Sequence, residues 1–226
     1  MEDDEQEQLI EAARERDDKK SGVSDRVSDE LIVRTLIGSG MRVSEFVHCR
    51  PQWVRADESP ARISIPKHED CECSDCTQKA SEAAERRVEN PNGTERFKKY
   101  TDYDSTLDEM LRKQWKPKSE SGSRTIPIMD KRAVRLLVEW FDDHDEIPLT
   151  RNAVGYRVRT ISDPLGFDHV VSPHICRHTY AVNAVDRGVS VEFLQRAMGH
   201  SKIQNTQVYL DVKGDRVAEK FEEAWS

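Results

Sequence analysis

The sequence predicts a mainly α-helical fold that contains a small three-stranded antiparallel sheet near its middle. Apolar residues recur at helical spacing over most of the chain, whereas residues 61–66 alternate between apolar and polar types, as a half-buried strand does. The length of 226 residues suits one large domain with its own core. No apolar run approaches the about eighteen residues that a membrane span needs, so a membrane-spanning class is excluded.

The first predicted elements are helices. Residues 1–20 are strongly charged with a short apolar face, so residues 1–24 are expected to form an acidic helical extension. Ser28 is expected to cap the next helix, because two acidic residues follow it in the first turn, where the helix dipole favours negative charge. That helix should end at the glycine-rich residues 38–40, and a short helix over residues 43–47 follows.

The sheet is predicted from three segments. Residues 61–66 form the first strand, residues 114–118 the second and residues 124–129 the third, with a turn-like stretch between the last two. The long connection between the first and second strands is rich in charge and cysteine. Such a length is unusual for a hairpin, so residues 67–113 are interpreted as an insertion.

The C-terminal half is predicted to be helical with short breaks. An apolar stripe indicates a helix over residues 131–140, Pro173 begins another, and Ser190 caps a third. The last segment, residues 213–226, is expected to form an amphipathic helix. It could dock on a neighbouring subunit, and the alternative is packing on its own domain.

The net charge of -8 argues against a globally basic surface for nucleic acid. Most of it lies in residues 1–30, whose balance is -7, so the other residues balance at -1. A local basic cleft therefore remains compatible with the sequence. The acidic N-terminus does not resemble a signal peptide, and an odd count of five cysteines does not indicate a disulfide framework, so a cytoplasmic location is expected.

Six side chains suited to phosphoryl transfer follow one another in short motifs. They are Arg42 in GSGMRVSE, Lys118 in PKSESGSRTIP, His174 and Arg177 in HICRH, His200 in MGHS, and Tyr209 in NTQVYLDV. A tyrosine can attack phosphorus and form a covalent ester. Arginine forks can hold the oxygens of a phosphodiester, while lysine and histidine can move protons. Each motif alone also fits a surface or packing role, so their joint occurrence in this order is the informative feature.

These motifs resemble those of the tyrosine recombinase (phage integrase) family over residues 25–212. GSGMRVSE is similar to the family's first arginine box, PHICRHTYAV to its H-x-x-R box, and MGHSKIQNTQVYLDV to its closing segment. The resemblance implies the catalytic-domain fold of DNA breaking-rejoining enzymes. It also implies that Tyr209 is the nucleophile and that Arg42 and Arg177 clamp the phosphate.

The resemblance implies further roles in proton transfer and support. His174 would accept a proton, His200 would hydrogen-bond the scissile phosphate, and Lys118 would be the general acid, with Lys116 as the competing candidate. Two further residues would support the site without reacting, and these are Glu45 and His178.

The function implied is that of a site-specific recombinase or integrase that cleaves and rejoins double-stranded DNA through a 3′-phosphotyrosine, without a metal ion or ATP in the chemistry. Such enzymes act as tetramers, here expected at the nucleoid. The alternatives are type IB topoisomerase-like strand relaxation and a non-catalytic DNA-binding regulator. The family's usual N-terminal DNA-clamping domain is not evident, so either a fragment or a short form is expected. The acidic composition and cysteine-bearing insertion are similar to archaeal integrases.

A separate cluster in the insertion has the residue types of a metal site. Its members read H-x2-C-x-C-x2-C and are His68, Cys71, Cys73 and Cys76. Three thiolates and one imidazole can complete a tetrahedral structural zinc site. The alternatives are three reduced cysteines in a polar loop, or a ligand supplied from elsewhere by Cys49.

Overall fold

A computed structural model describes residues 1–19, 26–89, 108–110 and 115–211. The chain divides into two compact units. The first unit comprises residues 1–65 together with the described residues from 121 onward, and the second is Pro66–Glu120. The predicted insertion, residues 67–113, lies within the second unit.

The described residues confirm the mainly helical fold with a three-stranded sheet. The helices are α1 (Asp3–Asp18), α2 (Asp29–Ser39), α3 (Val43–Phe46), α4 (Ser74–Glu89), α5 (Lys131–Phe141), α6 (Arg151–Ser162), α7 (Pro173–Asp186), α8 (Val191–Met198) and α9 (Gln204–Asp211). The strands are β1 (Val54–Arg55), β2 (Ala61–Ile65) and β3 (Arg124–Ile128). No helix in the described part of the chain combines the length and hydropathy needed to cross a bilayer.

Helix α2 is the centre of the first unit, because it packs against α1, α5, α6 and α7. Its start was predicted correctly, since the Ser28 hydroxyl accepts a hydrogen bond from the Leu31 amide at 3.0 Å. Its end was also predicted correctly, at Gly40. Its apolar stripe is buried in the core, and the members are Leu31, Ile32, Val33, Leu36 and Ile37.

The sheet has the order β1-β2-β3 with antiparallel pairing throughout. Ile63 stands opposite Ile126, and both side chains are fully buried. The predicted strand over residues 114–118 was wrong, because Trp115 forms only an isolated bridge with Glu69. The third strand of the sheet is instead β1, which was not predicted. It has two residues and is therefore too short to show an alternating pattern in the sequence.

Helix α1 packs against α2 and α6, so the predicted acidic segment contributes to the core of the first unit. Leu9 and Ala13 are fully buried. At the end of α1, the Asp17 carboxylate accepts hydrogen bonds from the backbone amides of Asp29 and Glu30, at 2.7 and 2.8 Å. The acidic end of one helix thereby caps the next.

The helices of the C-terminal half begin where Pro173 and Ser190 predicted. Helix α6 was not predicted, because its short apolar stripe, Val154, Val158 and Ile161, is interrupted by arginines and a glycine. In the second unit, α4 buries Cys76, Ala80 and Ala84 along one face. The predicted C-terminal helix, residues 213–226, lies outside the described residues.

Candidate active site

The C-terminal end of helix α8 collects three arginine side chains from distant parts of the first unit. Arg124 Nε donates to the carbonyl oxygen of Ala197 at 2.6 Å. Arg177 Nη2 donates to the carbonyl of the next residue along the helix, Met198. Arg42 Nη2 donates to the Gly199 carbonyl at 3.0 Å. The last carbonyls of a helix lack intrahelical partners and carry partial negative charge, so this end is suited to hold cations together.

Two glycines allow this assembly. Gly40 and Gly199 end α2 and α8 in the left-handed region, with φ of 61° and 62°. A Cβ at Gly199 would lie 2.7 Å from the Ser121 carbonyl oxygen and 2.9 Å from Arg124 Cδ. A Cβ at Gly40 would lie 2.3 Å from a ring carbon of Tyr180. The Gly40 carbonyl accepts from Arg177 Nη1 at 2.5 Å, so both turns supply acceptors to the arginines.

Glu45 is the carboxylate that Arg42 and Arg124 share, and its charge also acts on Arg177. Its Oε1 accepts from Arg42 Nη1 at 2.9 Å and from Arg124 Nη1 at 2.7 Å. The side chain is 1% exposed, and its burial opposes ionisation. The hydrogen bonds and charges of Arg124 and Arg42 outweigh this effect and hold the pKa of Glu45 below its ordinary value. Among the described residues, Glu45 is the one carboxylate hydrogen-bonded to Arg42, Arg124 or Arg177.

The cluster therefore carries more positive than negative charge. Burial, together with the neighbouring Arg42 and Arg124, lowers the pKa of Arg177 to about 9. Burial and the charges of Arg177, Arg42 and Arg124 lower the pKa of His200 to about 4, so the imidazole is neutral near pH 7. An additional anion, such as a phosphodiester, would relieve this imbalance.

His200 follows the glycine turn directly and is held on both sides of its ring. Its Nε2 lies 3.3 Å from Arg177 Nη2, and its Nδ1 lies 2.9 Å from the Thr206 hydroxyl. Because arginine can only donate, Nε2 accepts and Nδ1 carries the proton that is donated to Thr206. Thr206 is fully buried, so it fixes the orientation of the imidazole.

Tyr209 lies on α9 within the hydrophobic cluster that Leu194 and Met198 of α8 help to form. Its side chain is 5% exposed. Burial raises the pKa of the phenol, and the charge of Arg177 only partly opposes this. The Tyr209 ring lies 5.3 Å from the His178 ring and 6.5 Å from the His200 ring, measured between centroids. A neutral phenol beside two imidazoles needs a proton acceptor before it can attack.

His174 and His178 form a pair on successive turns of α7. Their Nε2 atoms lie 2.6 Å apart, so one nitrogen donates and the other accepts. Burial, His174 and Arg177 all lower the pKa of His178. His174 is exposed, whereas His178 lies between it and Tyr209.

The structure thus brings together most of the site residues named from the sequence. Arg42, Arg177, His200 and Tyr209 surround the end of α8, with His174 joined through His178. Lys118 and Lys116 are exposed residues of the second unit, and their roles stay predictions.

Sequence reasoning missed two residues of this site, Arg124 and Thr206. Arg124 opens a strand and resembles any charged edge residue in the sequence. Thr206 lies three residues before the tyrosine with no distinguishing pattern. Neither position carries a sequence signal that could have identified it. The hydrogen-bond partner of Arg124, Ala197, is remote in the chain, and the contact of Thr206 with His200 depends on the turn after α8.

In the second unit, the structure brings together the three cysteines of the predicted metal site. The sulfur atoms of Cys71, Cys73 and Cys76 lie within 4.8 Å of one another. Cys71 and Cys76 are buried and Cys73 is exposed. The predicted fourth ligand, His68, does not lie within this distance of the cysteine sulfurs in the described part of the chain.

Solved structures show the same fold. The chain is similar to the XerA recombinase crystal structure with a TM-score of 0.58 and 20% identity, over 99% of this chain and 64% of that one. It is similar to XerH bound to palindromic difH substrate in a post-cleavage complex, with a TM-score of 0.57, 14% identity and coverage of 100% and 53%. The fold is that of a tyrosine recombinase catalytic domain.

The model of the phage integrase family matches residues 1–216, so the chain belongs to this family. Tyrosine recombinase XerC of Corynebacterium glutamicum is 34% identical over 137 residues, which are 54% of this chain and 42% of that protein. Tyrosine recombinase XerA of Saccharolobus solfataricus is 25% identical over 201 residues, which are 89% of this chain and 52% of that protein. The chain thus spans about half the length of these relatives or less.

Proposed function

We propose that the protein cleaves and rejoins double-stranded DNA at specific sites through a covalent phosphotyrosine. The Tyr209 oxygen attacks the scissile phosphorus, a P–O bond forms to the tyrosine, and the bond to the 5′ oxygen breaks. A 5′ hydroxyl of a second strand then attacks the ester and releases Tyr209. One phosphoester replaces another at each step, so no ATP is required. The arginines stabilise the charge on the phosphate oxygens, so this scheme uses no metal ion.

The observation that carries this proposal is the surplus of buried positive charge at the end of α8. Arg42 and Arg124 bind the carboxylate of Glu45, whose charge also acts on Arg177. In the described part of the chain, no second carboxylate is hydrogen-bonded to these three guanidinium groups. A bound phosphodiester supplies the missing negative charge. The pentacoordinate transition state carries more charge on its oxygens, so the arginines stabilise it more strongly than the ground state.

The histidines and the lysine provide proton transfer in this scheme. The proton of Tyr209 passes to the His174–His178 pair, because His178 lies against the phenol ring. Once Arg177 turns from the imidazole toward the incoming anion, His200 takes the tautomer with its proton on Nε2. Nε2 then donates to the phosphate, and Nδ1 accepts from the Thr206 hydroxyl. Lys118, or Lys116 in its place, protonates the leaving 5′ oxygen.

The proposal extends to the protein's partners and assembly. Recombination between two duplexes requires four strand cleavages, so we expect a homotetramer on DNA, located at the nucleoid in the cytoplasm. Sedimentation of the protein with excess target duplex should give a complex of four chains and two duplexes. Only monomers or dimers on DNA would contradict this assembly.

Covalent capture tests the activity without a known target. The protein is incubated with supercoiled plasmid over a range of salt concentrations and quenched with detergent, and protein-linked DNA is recovered. We expect adducts with the wild type and none with Tyr209→Phe, since only the attacking oxygen is removed. Sequencing the recovered ends would identify the cleavage site. Tyr156→Phe is the matched control, because Tyr156 is 71% exposed and lies outside the site.

Each other outcome has a defined meaning. DNA binding without an adduct would overturn the proposal in favour of a regulator. An adduct that survives Tyr209→Phe would place the nucleophile elsewhere. Relaxed plasmid without exchange between two DNA molecules would indicate a topoisomerase.

We further propose that Cys71, Cys73 and Cys76 hold a structural zinc ion in the second unit. Thiolate sulfur is a preferred zinc ligand, and Zn–S bonds of about 2.3 Å place sulfurs about 3.8 Å apart in a tetrahedron. The three sulfurs lie within 4.8 Å of one another, so small rotamer changes would fit them to an ion. The ion would stabilise the unit and take no part in the chemistry.

Metal analysis of the purified protein tests this second proposal. We expect about one zinc per chain, and loss of zinc with a lower melting temperature in Cys73→Ser. Cys176→Ala is the control, because Cys176 is a buried cysteine of the first unit and should leave the zinc content unchanged. A zinc-free protein whose stability does not respond to added zinc would contradict the proposal.

A further inference from the structure

Arg124 is the most extensively hydrogen-bonded arginine of the site. It is the first residue of β3, and its side chain is 5% exposed. Its Nε donates to the Ala197 carbonyl at 2.6 Å, and its Nη1 donates to the Gly122 carbonyl at 2.7 Å. Its two terminal nitrogens also grip both oxygens of Glu45, at 2.7 and 2.9 Å. With these donors engaged by the protein, Arg124 is held in one place.

The grip of Arg124 on Glu45 sets the position of Arg42. Glu45 Oε1 accepts from Arg42 Nη1 at 2.9 Å, and Glu45 Oε2 accepts from the Arg42 backbone amide at 2.7 Å. The carboxylate therefore holds both ends of Arg42. Because a bidentate pair fixes the plane of the carboxylate, Arg124 determines where these acceptors lie.

Arg124 also joins the elements that meet at this point. Its hydrogen bonds connect β3 with α3, through Glu45, and with the last turn of α8, through Ala197. The Gly199 Cα lies so close that a Cβ there would be 2.9 Å from Arg124 Cδ. The Arg124 side chain thereby fixes the position of Arg42 relative to the glycine turn that precedes His200.

We propose that Arg124 is a positioning residue that holds Arg42 in the geometry required to clamp the scissile phosphate. It acts through Glu45 and the end of α8, and it does not itself contact DNA. This inference rests on the proposed function. It predicts that Arg124 governs the rate of cleavage and leaves the affinity for DNA largely unchanged.

The test compares Arg124→Lys with wild type on a duplex that carries the cleavage site mapped by covalent capture. Lysine keeps the charge but cannot make the bidentate bond and the Nε bond together. We expect the single-turnover rate of adduct formation to fall about 10–100-fold, with the Kd for the duplex changed less than about 3-fold. Glu45→Gln should produce a loss of the same order, because it weakens the same hydrogen bonds.

Arg157→Lys is the matched control. Arg157 is also a largely covered arginine, with a side chain 13% exposed, paired with a buried carboxylate, Asp29, but it lies outside the site. We expect it to lower the melting temperature and to leave the adduct rate unchanged at temperatures where the protein is folded. An adduct rate that falls equally in both variants would overturn the inference, because the loss would then reflect general destabilisation.

Crystal structures of wild type and Arg124→Lys provide a readout that does not depend on activity. We expect the Arg42 guanidinium to leave the Gly199 carbonyl, which it contacts at 3.0 Å in the wild type. An unmoved Arg42 in the variant would overturn the inference, whether or not the wild type cleaves DNA. Absence of cleavage by the wild type would count against the proposed function alone.

Discussion

Two buried clusters of arginine and carboxylate groups lie in the first unit, and they are organised in opposite ways. At the start of α2, the carboxylate of Asp29 is at the centre and is fully buried. Three arginines surround it. Arg157 Nε donates to its Oδ1 at 2.5 Å, and Arg26 Nη2 and Arg16 Nε donate to its Oδ2 at 2.9 and 3.3 Å. At the end of α8, the cations are at the centre, and backbone carbonyls serve as most of their acceptors.

We infer from this difference that the Asp29 cluster is structural and that the Glu45 cluster belongs to the proposed active site. In the Asp29 cluster, Asp17 adds a second carboxylate, and Arg16 and Arg26 keep 28% and 24% of their side chains exposed to solvent. In the Glu45 cluster, Arg124 and Arg177 are each 5% exposed, and Glu45 is the one carboxylate among the described residues that is hydrogen-bonded to the cluster's arginines. Uncompensated charge in a buried place is costly to the fold, so its presence indicates a ligand of opposite sign.

Arg177→Met should give the largest effect of the substitutions that break this contrast. We expect the rate of adduct formation to fall by about 10³-fold, because the variant loses one clamp on the transition-state oxygens. The free energy of unfolding should change less than in Arg157→Met, since loss of one of three like charges offsets the lost hydrogen bonds. Urea unfolding and covalent capture of both variants measure the two effects. Equal losses of activity would remove the distinction between the clusters.

Asp29→Asn should reverse that pattern. The substitution leaves Arg157 and Arg26 without their buried counter-charge, and we expect the free energy of unfolding to fall by about 3 kcal/mol. Adduct formation at a temperature where the variant is folded should stay within about 2-fold of wild type. Asp142→Asn is the surface control, and it should change stability by less than about 0.5 kcal/mol. A cleavage defect in folded Asp29→Asn would show that the clusters are coupled.

The stability of the protein should fall as the pH decreases from 7 to 5, in part because of His200. Its pKa is about 4 in the folded state and 6.5 in the reference state, so the unfolded chain binds the proton first. The contribution is present above pH 6.5 and is lost toward pH 4, and about 2 kcal/mol of it is lost by pH 5. Urea unfolding at several pH values should show a shallower dependence in His200→Gln. An identical dependence would mean that the arginines do not disfavour protonation of His200.

Thr206→Val should give the smallest effect and tests the orientation of His200. Valine keeps the shape but removes the acceptor of the Nδ1 proton, so we expect adduct formation to fall about 10-fold. Thr160→Val is the matched control, because the Thr160 hydroxyl bonds to the Tyr156 carbonyl within α6 and lies outside the site. Equal rates in the two variants would show that the hydrogen bond from His200 to Thr206 does not support cleavage.

Local physical rules made much of the molecule predictable from the sequence. The Ser28 cap and the Gly40 terminus of α2, and the Pro173 start of α7, depend on a few neighbouring residues. They can therefore be predicted from the local sequence alone. The family was predicted in a different way, from the resemblance of the motifs around the candidate catalytic residues. Strand β1 could not be predicted from local sequence, because two residues are too few to show an alternating apolar pattern. Only their pairing with β2 makes them a strand.

Only the tertiary structure decided which of the arginines form the site. Arg42, Arg124 and Arg177 are more than fifty residues apart in the sequence, and nothing local relates them. They meet because α8 ends in a left-handed glycine and leaves its last carbonyls without partners, next to the buried carboxylate of Glu45. The sequence by itself determined the candidate reactive groups and most of the elements that carry them. Their charge surplus and their hydrogen-bonded order exist only once remote segments are packed together, because both depend on distances through space.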